Sequence, residues 1–337
     1  MKTILETEDT KYILLHILGY GGTCSVYKGY CADDKSFKLY AIKIFKPDSK
    51  KYFEREINVN DTLPKKYFLS VFKYGIGHIQ KESTNSSHLT TSNNIFTGNV
   101  FYKIEEFAEN GELFNYVYQL EKGFPEKVSA KIFAKIVKSV KILHENNIVH
   151  CDIKPENILV GNDFNLKLID FGFSKKINKD HVVYGNEGSE IYSSPETRKG
   201  NNSGYDGIKN DIFSLGVLLF VITIGRFPFN SSKYSDKKYR LIMFKKYEQY
   251  WSNYEKYNLS NEFKDLMNHL ICYQPNERLN IDEILEHPWI KNNVNNKKEI
   301  NKENDVNDTN TNDANIVDEE IVKELKERKV TMSKKTN

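Results

Sequence analysis

The sequence predicts an α+β fold, with strands concentrated in the N-terminal third of the chain and helices in the remainder. Residues 11–47 alternate apolar and polar side chains and are interrupted by glycines, a pattern typical of strands. Beyond Asn110 the apolar residues recur at helical spacing, first over 132–143 and again over 212–221. Strands and helices are therefore expected to occupy separate parts of the chain.

Composition and charge are those of an ordinary globular protein. Of the 337 residues, 39% are apolar and 28% are charged, and 49 Lys and Arg oppose 46 Asp and Glu to give a net charge of +3. This near balance provides no strong field for nucleic acid or a membrane surface, so neither is expected as a partner. The four cysteines lie far apart without a Cys-x-x-Cys pair, which argues against a disulfide framework or a thiolate metal site and favours a reducing compartment.

The sequence also predicts a protein that is not attached to a membrane. Residues 1–10 contain acidic side chains where a signal peptide needs an apolar run, and Lys2 stands where a myristoylation signal needs Gly. The longest apolar run, residues 215–224, is shorter than the ~20 residues that cross a bilayer. We therefore expect a cytoplasmic location, with the nucleus as the alternative.

The strand-rich region is expected to begin after a short N-terminal extension, residues 1–10. Residues 50–60 are charged with a few apolar anchors and fit one short helix between strands. Residues 81–99 are rich in Ser, Thr and Asn and lie between the apolar segments 68–79 and 100–107. We therefore expect a long hairpin loop at 81–99.

The C-terminal segment, residues 291–337, has a different composition from the rest of the chain. It is rich in Asn, Lys and Asp and poor in apolar residues, which predicts a tail that buries little surface. Within it, Val317, Ile321 and Leu325 recur every four residues and predict a short amphipathic helix over 316–330. This helix either packs on the rest of the chain as a docking or autoinhibitory segment or stays solvated.

The first chemical motif is a glycine-rich stretch, residues 19–26, between two strand-like segments. Glycine lets backbone N–H groups approach a polyphosphate closely. Such a stretch also occurs in ordinary tight hairpins, so it needs support from other residues. That support follows in order along the chain: Lys43 inside an apolar strand, a His-Cys-Asp-Ile-Lys-Pro-Glu-Asn run at 150–157, and Asp-Phe-Gly at 170–172.

These motifs, in this order and spacing, resemble those of the eukaryotic protein kinase family, and the resemblance covers residues 11–290. It implies a two-lobed protein kinase fold, with a small β-rich N-lobe carrying one helix at 11–107 and a large, mainly helical C-lobe at 108–290. Lys154 and the segment 188–196 resemble the serine/threonine branch of the family. The Gly-Glu-Leu-Phe and His-Pro-Trp segments are most similar to calcium/calmodulin-dependent-like kinases.

The resemblance implies ATP as the phosphate donor and Mg²⁺ as the metal cofactor. Asp152 would orient the substrate hydroxyl and accept its proton, and Lys154 would contact the transferred phosphate. Asn157 and Asp170 would hold Mg²⁺ through oxygen ligands. The implied reaction is transfer of the γ-phosphate to Ser or Thr hydroxyls, so protein substrates are the expected partners. The sequence predicts no oligomeric state.

Further site residues follow from the same resemblance. Lys43 would bind the α- and β-phosphates and be held by Glu56, with Glu54 as the competing candidate. The resemblance also implies three groups of nucleotide contacts: the glycine-rich stretch with the phosphates, apolar side chains and backbone with the adenine, and one glutamate with the ribose. The residues concerned are Leu18, Gly19, Tyr20, Gly21, Gly22, Thr23, Cys24, Ser25, Val26, Ala41, Lys43, Glu106, Ala108, Glu112 and Leu159.

The sequence departs from the family pattern at several positions. Cys151 replaces the arginine that receives an activation-loop phosphate, and residues 175–188 contain no Ser or Thr. Activity is therefore predicted not to require phosphorylation of this loop. Glu105 stands at the gatekeeper position, where it either reaches Lys43 or points outward. Asn60 replaces an apolar residue of the short helix.

These departures keep two alternatives open. Glu105 and Asn60 could weaken the active arrangement, which would make the chain a weakly active or inactive pseudokinase that acts as a binding scaffold. A small-molecule phosphotransferase with a kinase-like fold is the other alternative. Every residue with a direct chemical role is present, which favours an active protein kinase.

Two glutamates predict a substrate preference. Glu112 and Glu156 match positions that contact a basic residue upstream of the phosphoacceptor in some family members. A carboxylate pair would favour Arg or Lys there by charge complementarity. Against this, Glu112 also matches a ribose-binding position, and the Lys-Pro-Glu-Asn run is widespread in the family.

Overall fold

The computed structural model separates the chain into two compact units, Met1–Glu109 with Ile169–Gly172, and Asn110–Leu168 with Phe173–Asn337. In the part of the chain that the structure describes, the first unit is strand-rich with one helix and the second is mainly helical, so the predicted α+β class is confirmed. The structure describes residues 2–60, 63–82, 97–198, 203–294 and 318–335, without the side chains of Asn60 and Glu82.

Unit 1 is built on a closed antiparallel barrel. Its strands follow one another around the barrel in the order β1-β2-β3-β4-β6-β5, and β5 closes the ring by pairing with β1. One helix, α1, connects β4 to β5 and packs against β6. The elements are β1 (Lys2–Glu6), β2 (Lys11–Tyr20), β3 (Cys24–Cys31), β4 (Leu39–Phe45), α1 (Lys50–Asn60), β5 (Val71–Glu82) and β6 (Gly98–Glu106).

Side-chain alternation gives this barrel two distinct faces. Ile42 and Ile44 of β4 lie in the apolar interior, with Tyr102 and Ile104 of β6 beside them. The residues between them point to the opposite face, because successive side chains of a strand alternate. On that outer face Phe45 packs with Phe53 of α1. The outer face under α1 is therefore where Lys43 emerges.

Residues 1–10 do not form the separate extension expected from the sequence. Strand β1 pairs with β2, with Ile4 opposite Ile13, and with β5, with Leu5 opposite Ile79. Leu5 is buried in the apolar interior of the barrel, and Ile4, on the opposite face of β1, is buried as well. Strand β1 is therefore part of the barrel.

The expected hairpin at 81–99 lies mostly outside the described residues. Strands β5 and β6 pair in antiparallel register as far as Ile79 opposite Gly98. Residues 83–96 are not described. The strand pairing on both sides is that of a hairpin.

Unit 2 consists of helices with several short strand pairs. Strand β7 pairs with β10, β8 with β9, and β11 with β12. The elements are α2 (Leu113–Tyr118), α3 (Glu126–Glu145), β7 (Ile148–Val149), β8 (Ile158–Val160), β9 (Leu166–Leu168), β10 (Lys175–Lys176), β11 (Val182–Val183), β12 (Tyr205–Asp206), α4 (Gly207–Ile224), α5 (Lys237–Met243), α6 (Tyr247–Trp251), α7 (Asn261–Leu270), α8 (Ile281–Glu286), α9 (Pro288–Val294) and α10 (Glu319–Lys335).

Helix α4 is the apolar centre of unit 2. The Asp206 side chain caps its N-terminus by accepting a hydrogen bond from the Lys209 N–H, and Gly225 ends it in the left-handed conformation. Its length and composition would allow it to cross a membrane, but 89% of the helix is buried inside the unit. It is therefore a core helix, and the apolar run in the sequence reflects burial on all sides.

Helix α10 corresponds to the amphipathic helix expected in the tail, with different bounds. It packs against α2 and α3 through the buried side chains of Ile321 and Leu325. Asp318 accepts hydrogen bonds from the first turn of the helix, and both its carboxylate and Glu320 contact Lys131 of α3. The helix is therefore docked on unit 2 rather than solvated.

A buried arginine anchors this helix. Arg328 donates hydrogen bonds to the backbone carbonyls of Tyr116, Lys122 and Gly123, and its guanidinium lies 3.9 Å from the centre of the Phe124 ring. Carbonyls at the end of a helix such as α2 lack partners within that helix, so a planar donor can satisfy several at once. Glu324 pairs with the same guanidinium at 2.8 Å and balances its charge.

Candidate active site

Lys43 is held by two carboxylates within unit 1. It projects from the outer face of β4, and its ammonium group forms an ion pair with Glu56 of α1. The second partner is Asp170, whose Oδ1 lies 3.1 Å from Nζ. The competing candidate Glu54 is exposed and pairs with Lys50 on the outside of α1. The helical phase of α1 thus brings Glu56, and not Glu54, to Lys43.

A second lysine, which the sequence analysis did not identify, joins this group. Lys103 Nζ lies 2.7 Å from Glu56 Oε2 and 2.7 Å from Glu105 Oε2. Glu105 therefore neither reaches Lys43 nor points outward, because its nearest opposite charge is two residues away on the same face of β6. The sequence of β6 did contain a signal that Lys103 and Glu105 share a face. Phe101, Lys103 and Glu105 alternate with three buried apolar residues, as side chains on the two faces of a strand do.

Burial and mutual attraction set the charge states of this cluster. For Lys43, burial opposes the charged form, but Asp170 and Glu56 outweigh it and hold the pKa well above its usual value. Burial also raises the pKa of Asp170 in isolation, but Lys43 more than compensates, and the pKa lies well below its usual value. Burial raises the pKa of Glu56, and Lys103 and Lys43 limit the rise. At neutral pH the site therefore presents an ammonium beside an ionised aspartate.

The glycine-rich stretch forms the turn between β2 and β3. The Gly21 N–H donates a hydrogen bond to the Cys24 carbonyl at 2.9 Å, which closes the turn. Chain neighbours aside, no heavy atom of the described residues lies within 4 Å of a Cβ added at Gly19 or Gly22, so the backbone there is open to a ligand. Cys24 is buried, and burial raises the pKa of its thiol, which makes it unreactive as a nucleophile.

The other expected nucleotide contacts divide between the two units. In unit 1, Ala41 is buried on the same face of β4 as Lys43, and Glu106 ends β6 with its N–H bonded to the Ser70 carbonyl. In unit 2, Glu112 and Leu159 lie opposite each other in a β-bridge. Six positions remain in the first unit: Leu18 and Tyr20 on β2, Thr23 in the turn, Ser25 and Val26 on β3, and Ala108, which is buried just beyond β6.

Asp152 is fixed by three hydrogen-bond donors within unit 2. Its Oδ1 accepts the Ser189 N–H at 2.8 Å, and its Oδ2 accepts Lys154 Nζ at 2.8 Å and Asn157 Nδ2 at 3.0 Å. Lys154 also donates to the Ser189 hydroxyl at 2.7 Å. The carboxylate is therefore oriented before any substrate arrives, as a general base requires.

The backbone before Asp152 is held by another aspartate. Asp211 accepts hydrogen bonds from the N–H groups of His150 and Cys151 at 2.8 and 2.9 Å, and its Oδ2 lies 3.0 Å from His144 Nε2. Cys151 adopts φ +64°, a conformation that is unfavourable for a residue with a side chain. Asp211 thus stabilises a strained turn that aims the side chain of Asp152.

Cys151 lies in an apolar cluster that holds residues 175–196, here called the activation segment. Its neighbours are Val149, Ile177, Val183 and Tyr205. Further along, Lys175 pairs with Glu187 at 3.4 Å and donates to the Tyr184 carbonyl at 2.5 Å. The segment is thus tied down by apolar contacts and by an ion pair between its own residues.

Gly188 brings this segment against the loop that carries Asp152. It has φ +103°, and a Cβ added to it would lie 2.3 Å from the Cys151 carbonyl oxygen. Only glycine fits both constraints. The close approach is what delivers the Ser189 N–H to Asp152.

The expected pair Glu196–Arg278 is formed and buried. The Arg278 guanidinium meets both oxygens of Glu196, at 2.6 and 2.9 Å. It also donates to the Cys272 and Lys209 carbonyls and lies 5.0 Å from the ring centre of Phe213. This network joins the end of the activation segment to α4 and the turn before α8.

The residues expected to bind Mg²⁺ carry donors suited to it. Asn157 directs its amide nitrogen to Asp152, so the amide oxygen is turned away from that carboxylate. Asp170 is partly exposed and ionised. Mg²⁺ prefers carboxylate and amide oxygens in small number, together with phosphate oxygens and water. Each residue therefore fits the role that the family implies.

Glu112 and Glu156 form an acidic patch in unit 2. Burial raises the pKa of both carboxyls, and each is further raised by a neighbouring carboxylate, Glu156 for Glu112 and Asp152 for Glu156. Glu156 Oε2 is buried and has no hydrogen-bond partner among the described residues. A cation bound here would lower the pKa of both carboxyls and would give Glu156 Oε2 a partner.

Comparisons with known proteins agree with the geometry. The family model described as "Protein kinase domain" matches residues 12–290. The chain is 37% identical to the serine/threonine-protein kinase kin-29 of Caenorhabditis briggsae over 60% of this chain and 24% of that protein. It is 35% identical to the human SNF-related serine/threonine-protein kinase over 58% of this chain and 25% of that protein. The chain thus spans about a quarter of the length of these relatives.

Proposed function

The chain belongs to the protein kinase domain family, and from this premise we propose that it acts as a Mg·ATP-dependent serine/threonine protein kinase on protein substrates. The observation that carries the proposal is the Asp152 carboxylate, held by Lys154, Asn157 and the Ser189 N–H. Both alternatives, a pseudokinase scaffold and a small-molecule phosphotransferase, are disfavoured. A scaffold would not need this arrangement. A small-molecule phosphotransferase would not need the Glu196–Arg278 pair, which anchors the segment around Ser189 that we propose holds the substrate peptide.

The proposed reaction uses each residue for positioning or charge neutralisation. Asp152 orients the substrate hydroxyl and accepts its proton, and Lys154 stabilises charge on the transferred phosphoryl group. Lys43, held by Glu56, contacts the α- and β-phosphates. Mg²⁺, held through Asn157 and Asp170 oxygens, would neutralise phosphate charge. The direct test is incorporation of labelled phosphate from ATP into a mixed peptide library by the full chain.

We propose that activity does not depend on phosphorylation of the activation segment. The apolar cluster around Cys151 and the Lys175–Glu187 pair already hold this segment, so it has no need of a phosphate bound by arginine. Treatment with a phosphatase, followed by mass spectrometry to verify removal of all phosphate, is expected to leave kcat and KM unchanged. Loss of most activity, restored by rephosphorylation, would contradict the proposal.

We propose a preference for basic residues upstream of the phosphoacceptor, supported by the acidic patch of Glu112 and Glu156. A degenerate-peptide array is expected to show enrichment of Arg and Lys there. Glu156→Gln should reduce kcat/KM for an Arg-containing peptide about tenfold, because a charge-assisted contact is lost. Its kcat/KM for a matched peptide without Arg should stay near wild type.

Glu121→Gln is the matched control for that array, since Glu121 is an exposed glutamate of the same unit. It should leave the preference intact. An array with no enrichment of basic residues, on an enzyme that phosphorylates the library, would refute the preference while leaving the kinase assignment in place.

The finer classification and the location are also proposals. The segments 111–114 and 287–289 support a position near calcium/calmodulin-dependent-like kinases, whereas the relatives named above are kin-29 and SNF-related kinases. We therefore place the chain in the serine/threonine branch and keep the subgroup as a proposal. Free cysteines at all four positions support a cytoplasmic or nuclear location.

A further inference from the structure

The second lysine of unit 1 lies directly beside the first. Lys103 of β6 is the register partner of Lys43 of β4, and both project to the face that α1 covers. A lysine in a strand usually extends its ammonium group into water. Lys103 instead has a side chain that is only 3% exposed. Its burial therefore requires compensation by opposite charge.

Glu56 and Glu105 supply that compensation. Lys103 Nζ lies 2.7 Å from an oxygen of each carboxylate, and the two carboxylates are 1% and 10% exposed. Glu56 in turn is shared, since its Oε1 meets Lys43 and its Oε2 meets Lys103. The four side chains form a continuous row in the order Lys43, Glu56, Lys103, Glu105, with alternating charge and no net charge.

Two anchors restrain a carboxylate more than one does. The terminal torsion of a glutamate is broad, so a single ion pair leaves the carboxylate plane free to turn. Lys43 contacts only one oxygen of Glu56, Oε1, and its other carboxylate partner is Asp170. Lys103 fixes the other oxygen of Glu56 and thereby the direction in which Oε1 faces Lys43.

We propose that Lys103 is a positioning residue that orients Glu56 toward Lys43, and that Glu105 keeps Lys103 in place. The inference deepens the proposed kinase function and rests on it. It also assigns a role to the carboxylate at the gatekeeper position: Glu105 is the counter-charge that makes a buried second lysine tolerable. Lys103 touches neither nucleotide nor substrate in this role and acts through Glu56.

The experiment compares affinity for Mg·ATP, KM for ATP and thermal stability in a set of variants of the full chain. Lys103→Met leaves Glu105 buried without its partner, so loss of stability is expected in this variant. The double variant Lys103→Met with Glu105→Leu removes both charges and is expected to recover the melting temperature. If Lys103 orients Glu56, the double variant still shows a KM for ATP raised about tenfold, with kcat less affected.

A second cycle pairs Lys103→Met with Glu56→Gln and uses equilibrium binding of Mg·ATP, which remains measurable when turnover is low. Because Lys103 acts through Glu56, its removal should add little to the effect of Glu56→Gln. Lys103→Arg should retain most of the wild-type affinity. Lys73→Met, a lysine of β5 that pairs with Asp9 outside the row, serves as the control and should change nothing.

Two results would overturn the inference. Recovery of both stability and KM in the Lys103→Met, Glu105→Leu variant would mean that Lys103 only balances Glu105. Additive losses in the cycle with Glu56→Gln would mean that Lys103 acts independently of Glu56. Absence of peptide phosphorylation by the wild type would refute the proposed function instead, and the binding cycle would still report on Lys103.

Discussion

Replacing Asp152 with Asn is expected to lower kcat for peptide phosphorylation by about 10²–10⁴-fold, the range typical of general-base catalysis. Asparagine has the same shape but cannot accept the substrate proton. It also replaces one accepting oxygen with an amide nitrogen, either Oδ1, which accepts the Ser189 N–H, or Oδ2, which accepts Lys154 Nζ and Asn157 Nδ2. The kcat of purified protein on the best library peptide checks the prediction.

Binding of Mg·ATP to Asp152→Asn should persist, because Lys43 and Glu56 are untouched. Asp163→Asn, an exposed aspartate in the turn between β8 and β9, is the matched control and should have wild-type kcat. A kcat for Asp152→Asn close to the wild-type value would show that the proton is accepted elsewhere and would remove the central element of the proposed mechanism.

Replacing Arg278 with Met is expected to destabilise the protein by about 3–5 kcal/mol, the cost of leaving one member of a buried ion pair without its partner. Glu196 would lose a bidentate contact at 2.6 and 2.9 Å, and the Cys272 and Lys209 carbonyls would each lose a donor. Urea unfolding, followed by fluorescence of the two tryptophans, measures the change in the free energy of unfolding.

An exposed ion pair provides the comparison for Arg278. Lys245 and Glu277 are 2.9 Å apart but largely solvent-exposed, so Lys245→Met should cost less than about 1 kcal/mol. The double variant Arg278→Met with Glu196→Gln should be less destabilised than Arg278→Met alone, since it leaves no buried charge. Equal stability of Arg278→Met and wild type would contradict a structural role for the pair.

Sequence alone identified the residues whose chemistry fixes their type and spacing. Lys43 lies within an apolar strand, and Asp152 and Asp170 come shortly after apolar strands. All three belong to motifs that phosphoryl transfer constrains, so the sequence predicts them directly. The sequence favoured Glu56 but left Glu54 as a competing candidate, because the choice depends on the rotation of α1 about its axis. That rotation is set by the packing of Phe53 against Phe45, which is a tertiary contact.

The residues that escaped prediction are those whose type is uninformative out of context. A lysine in a strand and an arginine in a polar helix are usually solvated, so neither Lys103 nor Arg328 stood out. Both are buried against partners from distant parts of the chain. Lys103 meets Glu56 as well as its neighbour Glu105, and Arg328 meets carbonyls near α2. Strand β1 escaped for the same reason, since its pairing with β5 is a long-range contact.

The closed barrel of unit 1 affects whether copies of this chain can pair with one another through exposed strand edges. The family match begins at residue 12, so β1 lies outside the matched residues, yet β1 is the strand that joins β2 to β5. Without it, both neighbours would present rows of unpaired N–H and C=O groups, which recruit strands from other molecules. The five residues of β1 thus prevent the described sheet from pairing with strands of other molecules and from aggregating.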